Sequence, residues 1–248
     1  MTQKSDPLVA VVIPVKDEAE NIAELLSGIV AACASYERYE VVAVDDGSTD
    51  LTATIVSDMA RENPAIRLIQ HNQSGGQSAA VHTGVHASRA KLICTLDGDG
   101  QNPPHEIPKL LAPFMGSDVS TKLGLVAGQR VDRQDTKSKL WASKFANKIR
   151  GWILKDGTRD TGCGLKAFRR DVFIAMPFFN HMHRYLPALF KAHGWEIAHV
   201  DVSHKARDGG RSKYSNLQRG LVGIVDLIGV SWLLRRVKKA HPLPEDQK

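Results

Sequence analysis

The sequence predicts an α/β fold with a mainly parallel sheet covered by helices on both faces, and three observations carry that expectation. Leu8 to Val15 is a continuous apolar, β-branched run of the kind found in parallel strands buried on both sides. Such runs alternate with helix-period segments four times before residue 115, as right-handed βαβ units require. The apolar runs also end in acids, at Asp45-Asp46 and at Asp97-Gly98-Asp99. In open α/β sheets, ligands bind outside the carboxyl ends of the strands.

In chain order, the first strand leads through Lys16-Asp-Glu-Ala-Glu-Asn into a helix with Ile22, Leu25, Leu26 and Ile29 on one face. Tyr39 to Val44 is a second strand, and Asp45 to Asp50 combines a carboxylate pair with Ser/Thr/Asp residues suited to start a helix. Ile66 to Ile69 is a third strand, and Asn72-Gln-Ser-Gly-Gly-Gln opens a small-residue helix. Lys91 to Leu96 is a fourth strand, ending in Asp97-Gly98-Asp99-Gly100-Gln101. Pro103-Pro104 begins a helix to about Phe114, and Leu123 to Gly128 is a further strand ending at Gln129-Arg130. Trp141 to Ile153 reads as a helix whose Trp141, Phe145, Ile149 and Trp152 share a packing face. Arg159 to Phe168 is glycine-punctuated, with its backbone close to a ligand or another strand. A helix at 186–193 and a strand at 196–202 lead to the basic stretch 204–214. Then follow the apolar segment Leu221–Leu234, the cluster Arg235-Arg-Val-Lys-Lys and a polar tail.

The 248 residues suit one large domain, here 1–216, followed by an apolar and basic C-terminal element, 217–248, with no separating linker. A net charge of +6 conceals two unlike halves: residues 1–129 carry 9 Lys+Arg against 16 Asp+Glu, and 130–248 carry 24 against 11. An acidic half able to hold a cation precedes a basic half able to attract phosphates or an anionic membrane. Three scattered cysteines, Cys33, Cys94 and Cys163, indicate neither a disulfide framework nor a zinc site, which suits a reducing cytoplasm. The first residues lack the apolar core of a signal peptide, and no run reaches the roughly 18–20 apolar residues of a spanning helix. Leu221–Leu234 comes nearest, interrupted by Asp226.

Two carboxylates at i and i+2 across a glycine can converge on a hard divalent cation, and Gln101 can add an amide oxygen. The alternative is a solvated Asp-Gly turn. No G-x-G-x-x-G follows the first strand and no P-loop pattern occurs, so dinucleotide and P-loop chemistry are not indicated. A basic nucleic-acid binder is equally unsupported, for no binding motif is present. His181-Met-His183 lacks a matched third ligand and reads as structural, as does Cys163 between small residues.

Taken together, VVIPVKDEAENI (11–22), EVVAVDDGSTD (40–50), the Asn72/Gly75-Gly76/Gly84 helix, LDGDGQNPP (96–104), GQR (128–130), SKFAN (143–147), RDTGCGLKAFRR (159–170) and RDGGRSKY (207–214) resemble the inverting family 2 glycosyltransferases of GT-A fold. Among these the chain is most similar to the polyprenyl-phosphate (dolichol-phosphate) glycosyltransferases, over about residues 8–216. The resemblance implies a donor-nucleotide site at Pro14, Val15, Glu18, Asp45, Asp46, Gly76 and Asp97. It implies Mg²⁺ or Mn²⁺ on Asp97, Asp99 and Gln101, and a catalytic set of Asp97, Asp99, Asp160 and Arg130. It further implies an acceptor-phosphate site at Ser143, Arg207, Arg211, Ser212 and Lys213, with Lys144 where the family has arginine. Helix capping alone is the reading for Asp50.

The function so implied is inverting transfer of a sugar from a UDP- or GDP-linked donor to a polyprenyl phosphate. The location implied is the cytoplasmic face of a membrane, with Leu221–Leu234 in the interface or, alternatively, an ordinary core helix. Transfer to a saccharide hydroxyl, with Asp160 recast as the base, and a non-catalytic sugar-nucleotide-binding subunit are the competing readings.

Overall fold

The computed structural model describes residues 8–116, 119–131, 150–205 and 216–238, with side-chain environments in the last segment from residue 223. Seven strands form one sheet: β1 (Val9–Val15), β2 (Tyr39–Asp45), β3 (Ile66–Gln70), β4 (Leu92–Thr95), β5 (Leu123–Arg130), β6 (Lys166–Arg169) and β7 (Glu196–Val202). The order across the sheet is β3-β2-β1-β4-β6-β5-β7. All pairs are parallel except those of β6, which runs antiparallel to both β4 and β5.

The helices are α1 (Ile22–Cys33), α2 (Thr52–Glu62), α3 (Gln77–Ala87), α4 (Ile107–Leu111), α5 (Arg170–Ile174), α6 (Leu186–Ala192) and α7 (Asn216–Leu234). Alternate residues of β1 feed two cores, because side chains along a strand point to opposite faces. Val9, Val11, Ile13 and Val15 pack with Ile22, Leu26, Val56 and Leu110 of α1, α2 and α4. Ala10 and Val12 pack with Val81, Phe173, Leu189 and Val230 of α3, α5, α6 and α7. Each fully buried aliphatic side chain stabilises the fold by roughly 1.5–3 kcal/mol. The two-sided cover expected from the unbroken apolar runs is thus observed.

Two features depart from the sequence reading. The glycine-punctuated stretch ends in a strand, β6, whose reversal the alternation of elements does not announce. Trp152, expected on a packing face, is 78% exposed; Trp141, Phe145 and Ile149 lie outside the described residues.

The strand order places the site. β1 connects outward to β2 and β3 on one side, and β4 lies on its other side, so the crevice of an open α/β sheet falls between β1 and β4. Register puts Val15 beside Asp45, while Val12 pairs with Thr95, two residues before Asp97. Because β6 runs backwards, its first residue, Lys166, lies at this same edge, between Thr95 and Ala127.

Candidate functional site at the carboxyl edge of the sheet

On the acidic side the loops are held largely by carboxylates accepting backbone N–H groups. Asp46 accepts from Gly75 N and Gly76 N at 2.8 Å each, from Ser74 Oγ at 2.7 Å and from His71 Nδ1 at 2.8 Å. Burial alone would raise its carboxyl pKa; these donors outweigh burial and hold it below the ordinary value. Asp46 therefore fixes the loop that leads through Gly76 (φ +84°) into α3. Asp45, also buried, accepts Ser48 N at 3.1 Å. Asp50 takes Thr52 N and Ala19 N at 2.9 and 3.1 Å, so it caps the start of α2 and also ties down the loop after β1. That loop also carries Glu18, whose N–H donates to Thr52 Oγ1 at 2.8 Å.

Asp97 stands at the centre. Its two oxygens accept Gln77 Nε2 at 2.7 Å and Asn102 Nδ2 at 3.0 Å. Burial, with Asp99 beside it, pushes its carboxyl pKa up. Gly98 and Gly164 make this placement possible by close approach. A Cβ on Gly98 would lie 2.8 Å from the Pro14 carbonyl, and one on Gly164 would collide with the Asp97 carboxylate. Asp99 accepts Gln101 N at 3.2 Å, and the Gln101 carbonyl accepts Lys205 N at 2.9 Å.

The other wall comes from β5, β6 and the loop between them. Arg130 holds Asp160 in a two-pronged ion pair, Nε to Oδ2 at 2.5 Å and Nη2 to Oδ1 at 2.9 Å. Hydrogen bonding and charge from Asp160 raise the guanidinium pKa against the opposing effect of burial. The buried Gln129 side chain accepts Arg159 N and Asp160 N at 2.9 and 3.2 Å, fixing the turn that presents Asp160. Buried Lys166 donates to the Cys163 carbonyl. Arg130, Asp160 and Lys166, together with Gln77, Thr161, His183 and Arg184, line a cavity of about 310 Å³ beside Asp97. The ring of His183 shares a 2.7 Å hydrogen bond with Ser78, and burial pushes its pKa well down, which keeps it neutral. His181 instead reaches Asp226 on α7 at 2.7 Å, so the two histidines serve different neighbours.

The structure thus brings Pro14, Val15, Glu18, Asp45, Asp46, Gly76, Asp97, Asp99, Gln101, Arg130 and Asp160 to one edge of the sheet. Ser143, Lys144, Arg207, Arg211, Ser212 and Lys213 lie outside the described residues. The sequence reading assigned no role in the site to Gln77, Asn102, Lys166 or Arg184, and it took His183 as structural. Gln77, Asn102 and Lys166 sit inside stretches that it quoted.

The residues present fit a divalent cation. Two like charges meet in a partly desolvated pocket beside the side-chain amides of Gln77 and Asn102, which favours a cation between them. Among the described residues no group of three or more His, Cys, Asp or Glu gathers. A cation held by Asp97, Asp99 and Gln101 would keep positions open for substrate phosphates, as Mg²⁺ commonly does.

The Glycosyl transferase family 2 model matches residues 10–176, two-thirds of the sequence. The chain belongs to this family. A dodecaprenyl-phosphate galacturonate synthase of Rhizobium johnstonii is 34% identical over 243 residues, covering 94% of this chain and 68% of that protein. An undecaprenyl-phosphate 4-deoxy-4-formamido-L-arabinose transferase of Edwardsiella ictaluri is 35% identical, covering 91% and 67%. The glycosyltransferase thus spans about two-thirds of the length of these relatives. Glucosyl-3-phosphoglycerate synthase from Mycobacterium tuberculosis, crystallised with Mn²⁺, UDP and glucosyl-3-phosphoglycerate, superposes with a TM-score of 0.69 at 15% identity, over 96% of this chain and 83% of that one. Mannosyl-3-phosphoglycerate synthase from Rubrobacter xylanophilus does so at 0.69 and 16%, over 97% and 79%. These likenesses establish the GT-A fold.

Proposed function

We propose that the protein transfers a sugar from a nucleotide-sugar donor to a polyprenyl phosphate, with inversion at the anomeric carbon and with Mg²⁺ or Mn²⁺ bound at Asp97, Asp99 and Gln101. The observation that carries this reading is the Asp97–Asp99 pair at the β1/β4 crevice, with Asp97 lining a cavity that also holds Arg130, Lys166 and Arg184. Relatives named as acting on undecaprenyl and dodecaprenyl phosphate support the choice of acceptor.

The residues divide the work. Glu18 and Asp45 suit the ribose and base, since carboxylates accept paired hydrogen bonds from hydroxyl and N–H groups. Asp46 shapes the loop over the nucleoside through its backbone contacts. A bound divalent ion would neutralise charge developing on the leaving diphosphate. A phosphate monoester has a second pKa of about 6 and attacks as an anion, so a strong general base is not needed. The protein's part is to bring two anions together in line. Asp160, gripped through both oxygens by Arg130, suits a fixed wall that orients the sugar better than a proton acceptor.

α7 supports contact with a membrane surface. Its inner residues Leu227, Val230, Leu233 and Leu234 pack on the core, while Ile224, Val225, Ile228 and Trp232 are 58–70% exposed. Arg236 lies over the Trp232 ring at 5.4 Å, and Arg235 stands beside it in sequence. An apolar face ending in basic residues suits burial among anionic headgroups. Among the described residues no helix is long and apolar enough to cross a membrane.

The test is sugar transfer from a panel of UDP- and GDP-sugars to a short polyprenyl phosphate, read by mass spectrometry with and without EDTA. The expected result is an EDTA-sensitive lipid-phosphate sugar, lost by a factor on the order of 10³ in Asp99→Ala. A donor that binds with metal but is never transferred to the lipid phosphate would sink the acceptor assignment. A hydroxyl acceptor or a non-catalytic role would then replace it.

A further inference from the structure

Lys166 is a buried cationic residue of this site to which neither motif nor relative assigns a role. It is 4% exposed, it opens the one strand that runs against the others, and it lines the 310 Å³ cavity above Asp97. An ammonium carries three donors. One of those of Lys166 goes to the Cys163 carbonyl, and among the described residues it forms no ion pair.

The neighbouring carboxylates Asp97 and Asp160 act on Lys166 through charge, but each already has hydrogen-bond partners of its own. Asp160 is bound through both oxygens by Arg130, and the Asp97 oxygens accept Gln77 and Asn102. Arg184 adds a further cation to the lining. A divalent ion at Asp97 and Asp99 would make the cavity more positive still, and the donor's diphosphate would sit on that ion. A buried charge is stable only when paired and hydrogen-bonded.

We propose that Lys166 is the buried cation of an oxyanion subsite in this cavity, filled in turnover by a second substrate anion distinct from the donor diphosphate. Two sources supply that chemistry: the phosphate of the acceptor and a carboxylate on the transferred sugar. The inference rests on the transfer reaction proposed above. The competing role is structural, with Lys166 acting only as a counter-charge to Asp97.

The experiment compares full-length wild type, Lys166→Met and Lys166→Arg. Each is assayed with short polyprenyl phosphate and the pair UDP-galacturonate and UDP-galactose, which differ by one carboxylate. If the acceptor phosphate fills the subsite, Lys166→Met raises the KM for polyprenyl phosphate by about tenfold or more, leaves the donor KM within about twofold, and Lys166→Arg restores most of the loss. If a sugar carboxylate fills it, the galacturonate-to-galactose ratio of kcat/KM falls by about tenfold and the acceptor KM stays put. Unchanged acceptor KM and unchanged ratio in a folded Lys166→Met protein would overturn the proposal and leave the structural role.

Should Lys166→Met not fold, Lys166→Gln keeps a donor for Cys163 without the charge and carries the same comparison. Thermal shift by inorganic phosphate and by free galacturonate, on wild type and the same variants, reads the subsite without turnover. A wild type that transfers nothing to lipid phosphate yet is stabilised by either anion through Lys166 separates failure of the reaction from failure of the subsite. A wild type stabilised by neither, with no Lys166-dependent kinetics, overturns the proposal.

Discussion

The two walls of the site are built differently. On the β1/β2 side the carboxylates are held chiefly by main-chain N–H groups, as at Asp46 with Gly75 and Gly76, Asp45 with Ser48, and Asp50 with Thr52 and Ala19. On the β5/β6 side arginine side chains dominate: Arg130 grips Asp160 in the site, and Arg150–Asp156 and Arg159–Asp201 pair in flanking segments, beside single main-chain contacts from Gly162 to Asp160 and Thr158 to Asp156. The first wall is fixed by the path of the backbone. The second depends on long side chains meeting across the sheet edge, so it responds to changes in charge and volume. For the proposed reaction between two anions, we expect a rigid seat for the nucleotide and an adjustable chamber for the acceptor and the transferred sugar.

After Asp99→Ala, the largest expected effect joins the walls. Gly164→Ala would drive a methyl group into the Asp97 carboxylate. Displacement of that kind at a reacting centre costs on the order of 10²-fold, so kcat should fall by about that factor while circular dichroism stays native. Activity near wild type would show that Asp97 tolerates displacement and that the walls are less coupled than their geometry implies.

Asp46→Asn tests the rigid wall. It replaces an acceptor of four hydrogen bonds with an amide that faces some donors with its own N–H groups. A loss of about 2 kcal/mol in urea unfolding is expected, with a rise in donor KM and little change in acceptor KM.

The smallest effect is on pH dependence. Glu106 is buried and accepts Lys109, Ser203 N and Ser203 Oγ; these outweigh burial and hold its pKa at about 2. Its folded value lies below the unfolded one of about 4.3. The stability it contributes is therefore present above that value and lost as pH falls toward 2. Urea midpoints between pH 6 and 3 should fall more steeply in wild type than in Glu106→Gln.

The rigid wall was legible in the sequence for the reason that makes it rigid. Unbroken runs such as Leu8–Val15 and Tyr39–Val44 mark strands buried on both faces, and acids at their ends project from the carboxyl edge wherever neighbouring helices sit. The second wall was legible only in part. Arg130, Asp160 and Lys166 all stood in quoted motifs, but the place of Lys166 in the site comes from a strand reversal that four residues, Lys166–Arg169, carry too briefly to show a period. His183 and Arg184 enter the cavity from the short turn before α6, and no local spacing ties them to Asp97. Trp152 misled because helical periodicity tells which residues share a face but not what the face meets.

The chain is anchored independently on each side of residues 206–215. Before it, Ser203 is clamped by Glu106 and Lys205 by Gln101. After it, α7 is fastened by the His181–Asp226 contact and by Leu227, Val230 and Leu233 in the core. A single proteolytic nick in that interval should therefore yield two fragments that co-elute as one particle and separate only in denaturant. The basic arm could then be exchanged by fragment complementation, with the nucleotide seat left untouched.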